Sequence, residues 1–288
     1  MGLYDAYQEF IRVHPRKSFH HRGDVIIFRQ FGEGPKVLVL LLGNAMFSGD
    51  AYFQLQEKLA QDYQIITIDD YGAKMTIDKV TDCISDLLKV LEIKKVWVMG
   101  MSHGGGLALT FARDHASQCE GLILYNTLMC PKEQSDISNE VVGNVLSAID
   151  QLSELRRIMP LTEIKQVLID QIKEEIKDED AIDLFESLIQ QYTEAHERSQ
   201  MSMIKDLLTS YQFSNKDFKY LNYKSLIFYG HDPDPFGGNE LIEALVDTMT
   251  NPHLQYLETN RFDLIIHPDE MYEKMVEFIR SFNKKALI

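Results

Sequence analysis

The stretch of this 288-residue chain best suited to nucleophilic chemistry is Val96-Trp-Val-Met-Gly-Met-Ser-His-Gly-Gly-Gly106. Within it, Gly100-Met101-Ser102-His103-Gly104 reads G-x-S-x-G. Small residues two before and two after a serine suit a tight turn whose flanking backbones come too close for side chains. On such a turn the Ser102 hydroxyl is pushed into the open, where it can attack an acyl carbon. A helix starting behind it presents its N-terminal dipole to the negative charge that develops. A serine hydroxyl is a weak nucleophile alone, so the reading also requires a base, an acid to orient the base, and donors for the oxyanion.

The motif carries weight only between a strand and a helix, and the flanking patterns predict that context. Lys95 to Met99 is an apolar run of the kind that forms a strand covered on both faces, and Gly104 to His115 reads as a helix. Upstream, Asp24 to Gln30, Lys36 to Leu42 and Tyr63 to Ile68 read as strands. Thr76 to Leu91 reads as a helix whose Ile77, Val80, Ile84, Leu87, Leu88 and Leu91 share one stripe. Gly121 to Tyr125 is the next strand. This alternation predicts an α/β fold with a mostly parallel sheet and helices on both faces. From about Pro131 the strand signals stop for some 85 residues. Ile164, Val167, Leu168, Ile172 and Ile176 make one amphipathic stripe, and Ile182, Phe185, Leu188 and Ile189 a second. Strand and helix signals then resume: Ser225 to Tyr229, Asn239 to Thr248, His253 to Glu258 and Asp269 to Phe282. The expected organisation is a core of residues 1–130 and 218–288, split by a helical cap over 131–217.

Composition narrows the function classes. The chain is 45% hydrophobic and 25% charged, which suits a folded globular protein and excludes collagen, low-complexity and disulfide-scaffold classes. Forty-four acids against 29 bases give a formal charge of -15. Such a chain repels nucleic acid and anionic membrane surfaces. Seven of the acids fall between Gln171 and Ser187, read as a solvated helix face. Cys83, Cys119 and Cys130 have neither CxxC nor metal-ligand spacing, and read as free thiols in the core of a protein kept in a reducing compartment. Met1 to Lys17 lacks a signal-peptide pattern, and Ala6 stands where a myristoylation motif has Ser or Thr. The longest apolar run, Val37 to Leu42, is far too short to span a bilayer. A cytoplasmic protein with no membrane insertion is expected, with no cofactor and no metal.

With the elbow, the strand–turn–helix context and the interrupted sheet in place, the chain resembles the α/β-hydrolase fold superfamily over roughly Phe19 to Phe282. The resemblance implies an oxyanion hole of two backbone N–H groups. One is that of His103, after the nucleophile. The other comes from Gly43-Asn44-Ala45-Met46, where it falls to Asn44. It also implies an acid after the strand that follows the cap, in Tyr229-Gly-His-Asp-Pro-Asp-Pro-Phe236. Asp234 fits the Asp-Pro-apolar pattern, and Asp232 sits nearer the strand end.

The histidine departs from the superfamily's pattern. It is expected about seven residues before the Pro-acid pair that opens the last helix, here Pro268-Asp269-Glu270. That count reaches Arg261. Arginine stays protonated at ordinary pH and cannot take a proton from Ser102. His267 lies in the same connection but six residues late, and His231 lies beside the acid turn. Loss of the base costs a serine hydrolase roughly 10⁶ in turnover, leaving about 10³–10⁴ over water. A missing histidine, a short connection after Asp69-Asp70 and a helical cap of similar length also resemble the layout of the maspardin-like branch, which implies protein association rather than hydrolysis.

Two readings follow. In the first, the chain is a serine hydrolase of a small ester or related acyl substrate. Ser102 attacks, Asp234 or Asp232 orients His267 or His231, and Met101 and Met129 help line an apolar pocket. In the second, it is a non-catalytic hydrolase-fold protein that binds a small ligand or a protein partner. Arg261 would then face the pocket and could hold a carboxylate bidentately.

Overall fold

The computed structural model describes residues 2–42, 47–71, 75–230, 240–258 and 262–282. It opens with a helix, α1 (Leu3–Val13), and an antiparallel pair, β1 (Lys17–His21) and β2 (Asp24–Phe31). β3 (Val37–Leu41), α2 (Phe53–Ala60), β4 (Gln64–Tyr71), α3 (Ile77–Val90), β5 (Val96–Met101), α4 (His103–Asp114) and β6 (Cys119–Tyr125) follow. Four helices then run in succession: α5 (Asp136–Ile158), α6 (Leu161–Glu175), α7 (Glu179–Gln191) and α8 (Glu194–Ser210). β7 (Ser225–Gly230), α9 (Ile242–Thr248), β8 (His253–Leu257), α10 (Asp263–Ile266) and α11 (Asp269–Ser281) complete the fold.

All eight strands join one sheet in the order β1-β2-β4-β3-β5-β6-β7-β8. β2 is antiparallel to both its neighbours, and from β4 through β8 every pairing is parallel. The central strands are covered on both faces, which is why they read as unbroken apolar runs: every residue of β5 is buried, as are Leu38 to Leu41 of β3.

Two hydrophobic cores sandwich the sheet. α3, α4 and α9 contribute to one, α1, α2 and α11 to the other. The four inserted helices divide between them. Val141, Val145 and Ile149 of α5, with Met203, Ile204 and Leu207 of α8, join the first core. Ile169 and Ile172 of α6, with Leu184, Phe185 and Leu188 of α7, join the second. The insertion therefore straddles the edge of the sheet. Cys83, Cys119 and Cys130 are all buried free thiols. Among the described residues no helix is long and apolar enough to cross a membrane.

Helix α1 lies outside the elements that the sequence pattern predicts. It buries Tyr7 and Phe10, and the Tyr7 ring meets Phe53 edge-on at 5.7 Å. Its start is held by the insertion: the backbone N–H groups of Leu3 and Tyr4 both donate to the Asp180 carboxylate. Tyr7 and Gln191 share a further hydrogen bond through the tyrosine hydroxyl. Asp180 belongs to the acidic stretch read as a solvated face. Here it supplies the negative charge and acceptor that a helix N-terminus lacks.

Candidate active site

Ser102 occupies the junction of β5 and α4 with φ 53° and ψ -126°. A β-carbon makes such a positive φ costly, so the surrounding structure must impose it. Three backbone hydrogen bonds do so. The Ser102 N–H donates to the Tyr125 carbonyl at 3.1 Å, while the Leu128 and Gly105 N–H groups each donate to the Ser102 carbonyl at 3.0 Å. The glycines are sterically required. A Cβ on Gly100 would collide with the Gly104 carbonyl and stand 2.6 Å from Gly105 Cα, and one on Gly104 would strike the Leu41 carbonyl. The serine is 8% exposed, and its hydroxyl makes no hydrogen bond among the described residues. His103 is the first residue of α4, so its N–H is one of the amides that a helix start leaves without an intrahelical acceptor.

The parallel register aligns the carboxyl ends of the strands. Leu41 pairs with Gly100, Met101 with Tyr125, Tyr125 with Phe228, and Gly230 with Leu257. The chain thus leaves the sheet at one edge after Leu42, Ser102, Gly230 and Glu258. This is the edge where open α/β sheets bind ligands. The insertion reaches it: Phe185 of α7 lies with its ring centroid 5.7 Å from that of Phe47 and 5.3 Å from that of Phe262.

A buried ion cluster anchors the segment after Phe47. Asp50 accepts from Arg29 at 2.9 and 2.8 Å, fork to fork, and from Arg16 at 2.7 Å. Arg29 and Asp50 are 3% and 1% exposed. Arg29 also donates to the His14 carbonyl. Gln56 donates to the Gly49 carbonyl at 2.8 Å and accepts from Thr67 at 2.6 Å.

The His103 side chain turns inward and is 1% exposed. Its Nε2 and the Tyr71 hydroxyl share a hydrogen bond of 3.1 Å. Burial, reinforced by the nearby His196, pushes its pKa from 6.5 down to about 4; Gln200 opposes the shift. The imidazole is therefore neutral at pH 7. Tyr71, His196 and Gln200 carry no sequence signal: they come from β4 and α8, and only the folded chain assembles them.

The model of the family described as serine aminopeptidase, S33, matches residues 35–262. The chain belongs to this family. As an S33-family chain it has the α/β-hydrolase fold expected from its elbow. It is similar to a carboxylesterase structure from Nitrososphaera gargenis, with a TM-score of 0.71 at 16% identity over 94% of this chain and 100% of that one. A thermophilic esterase from Thermogutta terrifontis is similar with a TM-score of 0.68 at 18% identity, covering 92% of this chain and 98% of that one. In sequence, the chain is 25% identical to a proline iminopeptidase of Flavobacterium johnsoniae over 44% of this chain and 48% of that protein. The chain thus spans about half the length of that relative.

The site residues expected from sequence are placed as follows. Ser102 and His103 stand together on the elbow. Met101 is 4% exposed beside them, and Met129 is fully buried in the core shared by α4 and α8. His267 is exposed, just before α11. Asn44, His231, Asp232, Asp234 and Arg261 lie outside the described residues. No cluster of three His, Cys, Asp or Glu side chains able to hold a metal is found among the described residues.

Proposed function

We propose that this S33-family chain is a cytoplasmic serine hydrolase acting on a small, uncharged ester or related acyl substrate through Ser102. The observation that carries this reading is the strained serine itself. A φ of 53° costs a non-glycine residue about 1–3 kcal/mol, and among the described residues no hydrogen bond holds the hydroxyl, which stands at the carboxyl edge of the sheet. In this mechanism Ser102 attacks the acyl carbon, and the N–H groups of His103 and Asn44 receive the oxyanion. A histidine oriented by Asp234 or Asp232 takes the serine proton and returns it to the leaving group. The exposure of His267 favours His231 as that histidine. Inserted helices α5 to α8 serve as the cap, and Phe185 helps exclude water.

A second reading rests on Arg261, which stands at the position where the superfamily carries its histidine. With no histidine serving as base, the chain would bind a carboxylate-bearing ligand or a protein partner without turnover.

A fluorophosphonate probe separates the two. On the first reading it labels Ser102 in the folded protein and fails on Ser102→Ala. Absence of labelling in a protein with the expected circular dichroism and cooperative melting overturns the hydrolase reading. Arg261→His tests the second: it should raise ester hydrolysis if Arg261 replaces the base.

A further inference from the structure

β8 ends the sheet: it pairs with β7 on one side and with no described strand on the other. An edge strand presents unpaired N–H and C=O groups, a template on which a strand of another chain can be added. The strand's own residues offer little against that. His253-Leu254-Gln255-Tyr256-Leu257 contains no proline and no Asp, Glu, Lys or Arg, and its first four residues are exposed. Leu254 and Tyr256 are 45% and 39% exposed, so the open edge is also apolar. A two-fold axis through Gln255 would set Leu254 opposite Tyr256 of a second copy, each such pair exchanging two backbone hydrogen bonds.

Protection comes from α11 instead. Lys274 Nζ donates to the Tyr256 carbonyl at 2.5 Å, and the Glu258 N–H donates to Glu270 Oε2 at 3.1 Å. Tyr256 and Glu258 are two residues apart, so their backbone groups face the same side of the strand, and Leu254 shares that side. The two α11 side chains are one turn apart, half-buried, and joined to each other, with Lys274 Nζ on Glu270 Oε1 at 2.6 Å. A charged clasp thus lies along the edge, its ammonium on an acceptor that strand addition requires. Adding a strand would displace Lys274 from Tyr256 in both copies and press charged side chains against an apolar partner.

We propose that the Glu270–Lys274 pair is a guard on this edge. It keeps β8 from pairing with β8 of a second copy, and so holds the sheet at eight strands. The guard acts on the surface of the sheet and touches no reacting atoms. The inference is independent of whether Ser102 is catalytic.

Light scattering and amide hydrogen exchange on the full chain test it. In the parent, the Leu254 and Tyr256 amides should exchange fast, at rates that do not change with protein concentration. Glu270→Gln combined with Lys274→Ala removes both charges and frees the Tyr256 carbonyl. At high concentration this variant should rise toward twice the parent's mass, and its Leu254 and Tyr256 amides should slow several-fold as it does. Lys274→Arg keeps a charged donor and should behave as the parent. A folded double variant with unchanged mass and fast exchange would overturn the guard, as would association that leaves these two amides fast. The parent supplies a test that needs no variant to fold: protection of both amides that grows with concentration would show β8 already paired, and the guard refuted.

Discussion

Phe185 of α7 meets Phe262 edge to face, with ring centroids 5.3 Å apart and an interplanar angle of 82°. Phe185 is fully buried, and its ring centroid also lies 5.7 Å from that of Phe47. One side chain of the insertion thus packs against a residue that follows β3 and another that follows β8. Phe185→Ala should destabilise the protein by about 3–5 kcal/mol, the range for a buried aromatic cut to a methyl. Urea denaturation followed by circular dichroism measures it. A loss below about 1 kcal/mol would mean the ring packs loosely.

His103 should make stability depend on pH. Its folded pKa is depressed to about 4 from 6.5. Between those values the unfolded chain binds more protons than the folded one, so stability rises with pH through the window and is lost as pH falls. The limiting size is about 3 kcal/mol. Burial also lowers His14, so the effect is best read as a difference. The gap in stability between parent and His103→Gln, followed from pH 7 to 4, should narrow toward the acid end. A constant gap would refute the assignment.

The elbow's glycines should be intolerant where a helix glycine elsewhere is not. Gly100→Ala and Gly104→Ala place a methyl against backbone that cannot yield, costing about 1–3 kcal/mol or more. Gly143 in α5 has nothing within 4 Å of where a Cβ would stand. Gly143→Ala should therefore stabilise by about 0.5–1 kcal/mol. Thermal melts of the three variants check the contrast in sign.

Asp50 should be far more costly to remove than Arg16. Asp50→Ala removes both fork-to-fork hydrogen bonds from the Arg29 guanidinium, at 3% exposure, and should cost about 3–5 kcal/mol. The Arg16 side chain is 44% exposed, so Arg16→Ala should cost no more than about 1 kcal/mol and less at high salt. Comparable losses for the two variants would show that the cluster shares its energy evenly.

Much of this architecture could be read from the sequence, and the reasons are local. β3 and β5 announce themselves as apolar runs because both their faces are covered. Ser102 is legible because a positive φ between colliding backbones dictates Gly100 and Gly104. α6 and α7 show clean stripes. α5 and α8 did not stand out because serine, asparagine and glutamine interrupt their apolar faces, although Val141, Val145 and Ile149 keep a four-residue spacing. α1 gives a weak sequence signal because its buried face is only Tyr7 and Phe10, and its cap lies in another part of the chain. The surroundings of the His103 imidazole leave no trace in the sequence for the same reason: Tyr71, His196 and Gln200 follow no spacing relative to Ser102.

The clasp between α1 and α7 has a kinetic consequence. Leu3 and Asp180 are 177 positions apart, yet they are joined by the hydrogen bond that starts α1. Neither helix can swing outward without breaking that bond and the one between Tyr7 and Gln191. The two should therefore open as one cooperative unit. In deuterium exchange, amides of α1 and α7 should share a single opening free energy, and Asp180→Ala should lower it for both. Helix α1 should thereby govern how readily α7 opens, although the two are joined only through space.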